Sequence, residues 1–179
     1  IINSILTIVI IILGVILLDK VKKLVLLSHC IINEKSKVKR INTYYSNKRK
    51  EFINLLIDNQ IGILQLPCPE VICYGVNRWG HVKNQLDTPH YRKTCRELFY
   101  PCFDQIKEYL RNDYEIMALV GIDGSPTCGI HKTCIGNWGG EVMDNPNFQD
   151  TVDSITSVYE SGVFIDEIKD ILHEEGISF

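Results

Sequence analysis

The chain has 179 residues, 45% of them hydrophobic and 23% charged, with only twelve Gly and six Pro. That is room for one domain with its own core, and it excludes a disordered, collagenous or low-complexity protein; no period of about 20–50 residues recurs, which excludes solenoids and propellers. The net charge of −3 hides a split, because residues 20–50 carry ten Lys/Arg against Glu34 alone, whereas residues 51–179 carry nine against twenty acids. A basic face near the start could attract an anionic ligand or phospholipid head groups, or be an ordinary solvated face.

Ile1 to Leu18 holds fourteen apolar side chains and no charge. About 17–25 apolar residues cross a bilayer as a helix, so the segment is just long enough. Lys20, Lys22 and Lys23 follow it directly, and the positive-inside tendency would keep the rest of the chain cytoplasmic. A cleaved signal peptide fits poorly, since no basic stretch precedes the segment and no small-x-small site follows. Two readings stand side by side. Residues 1–20 are a membrane anchor, or they are an upstream extension of a protein whose natural start is Val21.

Residues 21–179 read as one α/β domain. Leu24-Val25-Leu26-Leu27 is a continuous apolar run of the kind that forms a strand buried on both faces. Tyr44 to Asn59 carries Phe52, Leu55 and Leu56 at helical spacing, and Ile61 to Leu66 is a second buried strand stopped by Pro67. Thr88-Pro89 predicts a helix start, continuing through Cys95, Leu98, Phe99, Phe103, Ile106 and Leu110, with a kink or break expected at Pro101. Ile116 to Ile122 is a third buried strand, and Asp166 to Glu175 a last helix. Strands alternating with helices predict βαβ units and a mostly parallel sheet, a Rossmann-like arrangement preceded by the hydrophobic N-terminal segment.

Ligands of open α/β sheets bind at the carboxyl ends of the strands. All three predicted strands run into cysteine-bearing turns: Ser28-His29-Cys30, Pro67-Cys68-Pro69-Glu70, and Asp123-Gly124-Ser125-Pro126-Thr127-Cys128-Gly129. Three thiols distant in sequence therefore converge on one edge. The seven cysteines form no pair of CxxC knuckles, and a reducing interior would keep them free of disulfides. Three thiolates are soft ligands suited to an iron–sulfur cluster or, less well, to zinc. The plainer reading is that each is a small buried hydrophobe.

The set Ser28-His29-Cys30, Cys68-Pro69-Glu70 and Ser125-Pro-Thr-Cys128-Gly129 resembles the thiouracil desulfurase family over roughly residues 22–179. Tyr74-Gly75-Val-Asn-Arg78-Trp79-Gly80 and Gln85-Leu-Asp87-Thr88-Pro89 look more like a desulfidase branch of that family than like the thiouracil enzymes themselves. The resemblance implies a small α/β protein holding a [4Fe–4S] cluster through Cys30, Cys68 and Cys128, with one iron open to substrate, and removal of sulfur from a thiolated compound. The expected partner is a small thiolated heterocycle or other thio-compound rather than a nucleic-acid polymer, with membrane contact through residues 1–18 if these are an anchor. His29 stands where the thiouracil enzymes usually carry a small residue, and the Arg78-Trp79 insertion would alter the pocket, so substrate identity does not carry over.

With a cluster present, Glu70 is the first choice for proton transfer, against a plain role at a helix N-terminus. Ser125 could hydrogen-bond the substrate or shape the turn before Pro126. Asp123 could orient water or cap its turn. His29 could tune the Cys30 thiolate or bind substrate. Arg78 and Trp79 offer a cation and a flat ring for a heterocycle or an anionic substituent. Cys73 and Cys134 lie near the proposed ligands. Cys95 and Cys102, two helical turns apart, belong to one packed face, and Gly136-Asn137-Trp138-Gly139-Gly140 is a loop bordering the pocket. A non-catalytic cluster- or metal-binding module or sensor is the alternative; a thiol-redox protein is disfavoured by the lack of CxxC.

Overall fold

The computed structural model describes residues 22–39 and 46–178. The apolar segment 1–20, Val21 and the expected helix start at Tyr44 lie outside the described residues. Among the described residues, no helix is long and apolar enough to cross a membrane.

Three strands, β1 (Lys23–Leu27), β2 (Gly62–Gln65) and β3 (Glu115–Val120), form a parallel sheet in the order β2-β1-β3. The uninterrupted apolar run of β1 is explained by its central place. Leu24 and Leu26 point into one core with Leu64, Leu66, Phe99, Phe103, Ile106 and Phe164. Val25 and Leu27 point into the other with Ile31 and Leu56. The register slips between Leu24 and Val25, so that Leu24 faces Ile116 while Val25 faces Ala118; Met117 is the extra residue and is exposed.

The connection from β1 to β2 runs through α1 (His29–Ile32), a short 3₁₀ turn (Glu34–Ser36) and α2 (Ser46–Asp58). The return from β2 across β1 to β3 runs through α3 (Pro69–Tyr74), α4 (Lys83–Leu86) and the long α5 (Pro89–Arg111). Crossovers of one hand leading in opposite directions put their helices on opposite faces. Leu56 of α2 accordingly belongs to one core, and Phe99, Phe103 and Ile106 of α5 to the other. Strand order thus reverses at β1, the first strand in sequence and the middle one in the sheet.

α5 starts as expected, with Thr88 as N-cap accepting from Tyr91 N and Pro89 in the first turn. The expected break at Pro101 does not occur: the helix runs unbroken to Arg111. Pro101 lies on the exposed side of the helix, where water can replace the missing donor for the preceding turn. Cys95 and Cys102 are both buried in the core, on one face as expected.

β3 is followed by a loop, then by a two-stranded antiparallel sheet of β4 (Thr133–Ile135) and β5 (Thr156–Val158), with α6 (Phe148–Asp153) between them. The final helix, α7 (Val163–Glu174), begins three residues before the apolar periodicity suggested. It packs beside α5, where Glu167, buried on α7, receives Arg92 at 2.6 Å together with Arg96.

Candidate functional site

Each of the three parallel strands delivers one cysteine at its carboxyl end. Cys30 lies in the first turn of α1, three residues beyond β1. Ser28 N donates to Val120 O at 2.9 Å, tying this turn to the end of β3. Cys68 is the N-cap of α3, whose first residue is Pro69, where a missing N–H costs nothing.

Cys128 sits in the loop after β3, and that loop is built by close backbone approach. A Cβ on Gly121 would lie 2.1 Å from Cys128 O, one on Gly129 2.1 Å from Lys132 O, and one on Gly162 2.4 Å from the Thr127 carbonyl carbon. Only hydrogen fits at these three positions. The amides of Val163 and Phe164, opening α7, donate to the carbonyls of Pro126 and Thr127, so the start of α7 and the cysteine loop satisfy each other's backbone groups.

The three sulfurs are within one another's electrostatic reach. Burial pushes the Cys30 thiol up to about 11, with charge on Cys68 and Glu70 raising it further and Lys37 opposing. Burial also raises Cys68, which Arg78 partly offsets. Cys128 is raised well above the ordinary thiol value by burial, then by Cys30, Cys68 and Glu70. Ser28 Oγ is buried without a well-formed hydrogen bond and lies beside the Cys128 sulfur, where it favours the thiolate. Such a set resists ionisation alone and would be relieved by a cation in its midst. Among the described residues, no group of three or more His, Cys, Asp or Glu side chains that could hold a metal ion is found.

Glu70, on α3, is buried beside this edge. Its Oε1 accepts from Thr127 Oγ1 at 2.8 Å, and its Oε2 accepts from Arg78 Nε at 3.0 Å. Tyr91 OH lies 3.1 Å from Thr127 Oγ1; because Thr127 gives its hydrogen to Glu70, Tyr91 is the donor there. Burial alone would raise the Glu70 carboxyl, but His81, Thr127 and Arg78 more than offset it and hold it below the ordinary carboxylate value. Glu70 therefore carries a negative charge, not a proton.

Arg78 is turned inward. Its guanidinium serves Glu70, Gly75 O at 3.1 Å and Ser36 O at 2.9 Å, and its side chain is 5% exposed. Trp79 is the opposite case, 76% exposed. It lines an open cleft of about 420 Å³ together with Arg78, His81, Trp138, Gly139 and Phe148. Trp138 Nε1 donates to Gly80 O at 2.9 Å and its ring lies 6.0 Å from that of Phe148, which joins the two walls. The 136–140 loop thus borders the cleft, as its sequence suggested.

The remaining candidates have local roles. Asp123 Oδ1 accepts from the amides of Ile130, His131 and Lys132, and these bonds, His131 first, hold its carboxyl below the ordinary value. Ser125 Oγ accepts from Thr127 N at 3.3 Å and Cys128 N at 3.0 Å. Both shape the loop that presents Cys128. The His29 ring faces Asn33, with Nε2 and Asn33 Nδ2 3.2 Å apart, while its carbonyl accepts from Gln65. Cys73 is exposed at the end of α3, and Cys134 Sγ reaches His81 O at 3.5 Å. Sequence reasoning missed Thr127, Tyr91 and His81. Thr127 lay in plain view inside the Ser-Pro-Thr-Cys run; Tyr91 and His81 belong to no local pattern.

The molecule is thus an α/β protein whose three parallel strands present one cysteine each at a common edge, beside a buried carboxylate and an aromatic cleft. It is 37% identical over 113 residues to "Uncharacterized protein MJ0003" of Methanocaldococcus jannaschii, a stretch covering 63% of this chain and 71% of that protein. The chain belongs to the family of that protein. No family model and no solved structure matches it.

Proposed function

We propose that this chain is an iron–sulfur-dependent desulfidase, which removes sulfur as sulfide from a small thiocarbonyl compound by hydrolysis on a Rossmann-like domain. The observation that carries the reading is the convergence of Cys30, Cys68 and Cys128 from three adjacent strand ends to where each feels the others' charge. The strand order supports it, since the ends meet where that order reverses, the usual ligand position of open α/β sheets. The resemblance of the three cysteine motifs to the thiouracil desulfurase family supports the cluster in particular.

The donor set fits such a group in kind: three soft thiols, mutually destabilised as thiolates, with the Ser28 hydroxyl unsatisfied beside one of them. Cys30, Cys68 and Cys128 would hold it. Bound by three thiolates, a [4Fe–4S] cluster supplies one iron with an open position, a Lewis acid for soft sulfur that polarises the C–S bond. Thr127 and Arg78 hold the Glu70 carboxylate in one orientation next to the thiol edge. Trp79 and Trp138 wall the cleft beside it.

Anaerobic purification or reconstitution, followed by iron and sulfide counting and by a sulfide-release assay on 2-thiouracil and thioacetamide, tests the reading. About four irons per chain with sulfide release is the expected result. Iron without release from either compound would return the chain to the non-catalytic cluster-binding reading, and absence of iron would overturn both.

A further inference from the structure

We propose that His81 is the proton carrier of this site and that Glu70 is the carboxylate that orients it. The inference rests on the desulfidase reading and adds to it a residue that no motif marks. His81 Nδ1 is buried and makes no well-formed hydrogen bond; Glu70 Oε2 lies 3.6 Å from it. That carboxylate accepts from the Arg78 guanidinium at 3.0 Å on the same oxygen and from Thr127 Oγ1 at 2.8 Å on the other, the partners of a carboxylate anion. A lone pair on Nδ1 would face a negative oxygen, so the hydrogen belongs on Nδ1, and Nε2 keeps the free lone pair.

The two residues divide the site between them. Glu70 has Oε1 occupied by Thr127 and Oε2 by Arg78, and it lies behind Arg78 and His81. His81, by contrast, lines the cleft. Since Nδ1 is buried, the ring edge open to the cleft is the one that carries Nε2. The imidazole is also held in place. Its ring centroid is 4.7 Å from that of Tyr74, which in turn stacks 5.9 Å from Tyr91. Tyr91 bonds the Thr127 hydroxyl that fixes Glu70, so one group of side chains positions both members of the pair. A carboxylate fixing the tautomer of an imidazole whose other nitrogen faces the reaction is a recurrent acid–base arrangement.

Hydrolysis of a thiocarbonyl forms a C–O bond to water and breaks the C–S bond. Both protons of water leave with the sulfur as hydrogen sulfide, and nothing is oxidised or reduced. His81 takes one proton on Nε2 as water attacks. The imidazolium, its Nδ1 3.6 Å from Glu70 Oε2, then gives that proton to the departing sulfur.

Two measurements test this. Nitrogen-15 NMR of the imidazole should show the Nδ1–H tautomer at His81, and Glu70→Gln should weaken that preference. His81→Gln should keep the wild-type iron content yet lower kcat for sulfide release from 2-thiouracil by about 10²-fold or more, with KM nearly unchanged, and added imidazole should restore part of the loss in His81→Ala. An Nε2–H tautomer in the wild-type protein, a measurement that needs no variant to fold, would overturn the proposal, as would a His81→Gln enzyme with wild-type kcat. A wild-type protein that binds iron but releases no sulfide would overturn the desulfidase reading and the proton-carrying role with it, while the tautomer would still report whether Glu70 orients His81.

Discussion

Arg78 Nε donates to Glu70 Oε2 at 3.0 Å, and both side chains are more than nine-tenths buried. The pair links the segment after α3 to the turn that carries Cys68. It also explains how an ionised carboxylate persists so close to three thiols, since two polar hydrogens from Arg78 and Thr127 compensate it directly.

Removing one member of a buried pair leaves the other uncompensated, typically at about 3–5 kcal/mol. Arg78→Ala should therefore lose stability on that scale in urea unfolding. Arg78→Met combined with Glu70→Gln should recover much of it, because the buried charge is gone as well. A loss well under about 1 kcal/mol for Arg78→Ala would show that water reaches Glu70.

The cysteines should fall into two groups. Replacing Cys30, Cys68 or Cys128 by Ala should each abolish iron binding, because a three-thiol site has no spare ligand. Cys95→Ala and Cys102→Ala, both within the core, should keep iron and lose on the order of 1 kcal/mol of packing. Normal iron content in Cys128→Ala would remove that residue from the ligand set.

Gly162→Ala tests the cysteine loop without touching a cysteine. The new methyl would lie 2.6 Å from Thr127 O and 2.8 Å from Cys128 N, all backbone, so the loop must move. A loss of about 1–3 kcal/mol, the usual scale of overpacking, is expected together with lower iron loading. Unimpaired loading would mean that the loop accommodates its thiol ligand in more than one position.

Trp79 is exposed enough that Trp79→Ala should change stability by no more than about 0.5 kcal/mol. Its loss should be felt in binding, by about 1–3 kcal/mol if the ring stacks on a flat substrate, and should appear in KM with kcat retained. An unchanged KM for 2-thiouracil would shift the stacking role to Trp138 on the other wall.

The start of α7 shows where local reasoning misplaced an element, and Pro101 where it allowed a break that the helix does not have. Proline removes a donor wherever it stands, but whether the helix breaks depends on what faces the orphaned carbonyl, and on α5 that is solvent. The first residues of α7 lack polar capping side chains; their amides are satisfied by the carbonyls of Pro126 and Thr127. No periodicity within residues 163–174 reports a partner some forty positions upstream.

The amino-acid sequence by itself determined the three strands, the turns that end them and hence the edge shared by Cys30, Cys68 and Cys128, but not their burial, which is complete over Leu24–Leu27 of β1 and only partial in β2 and β3. Apolar runs, proline and glycine act over a few residues, and strand ends need no further information. Tertiary structure alone decided which polar groups meet there. Glu70 is held by Arg78 and Thr127, from two segments far apart in sequence, with His81 Nδ1 3.6 Å away and Tyr91 behind Thr127. Arg78, which looked like a substrate cation, is turned inward to Glu70 and the carbonyl of Ser36, and Trp79 beside it is left open to the cleft. A side chain's charge is written in the sequence, but its partner is set by whichever buried group has no water left to bind.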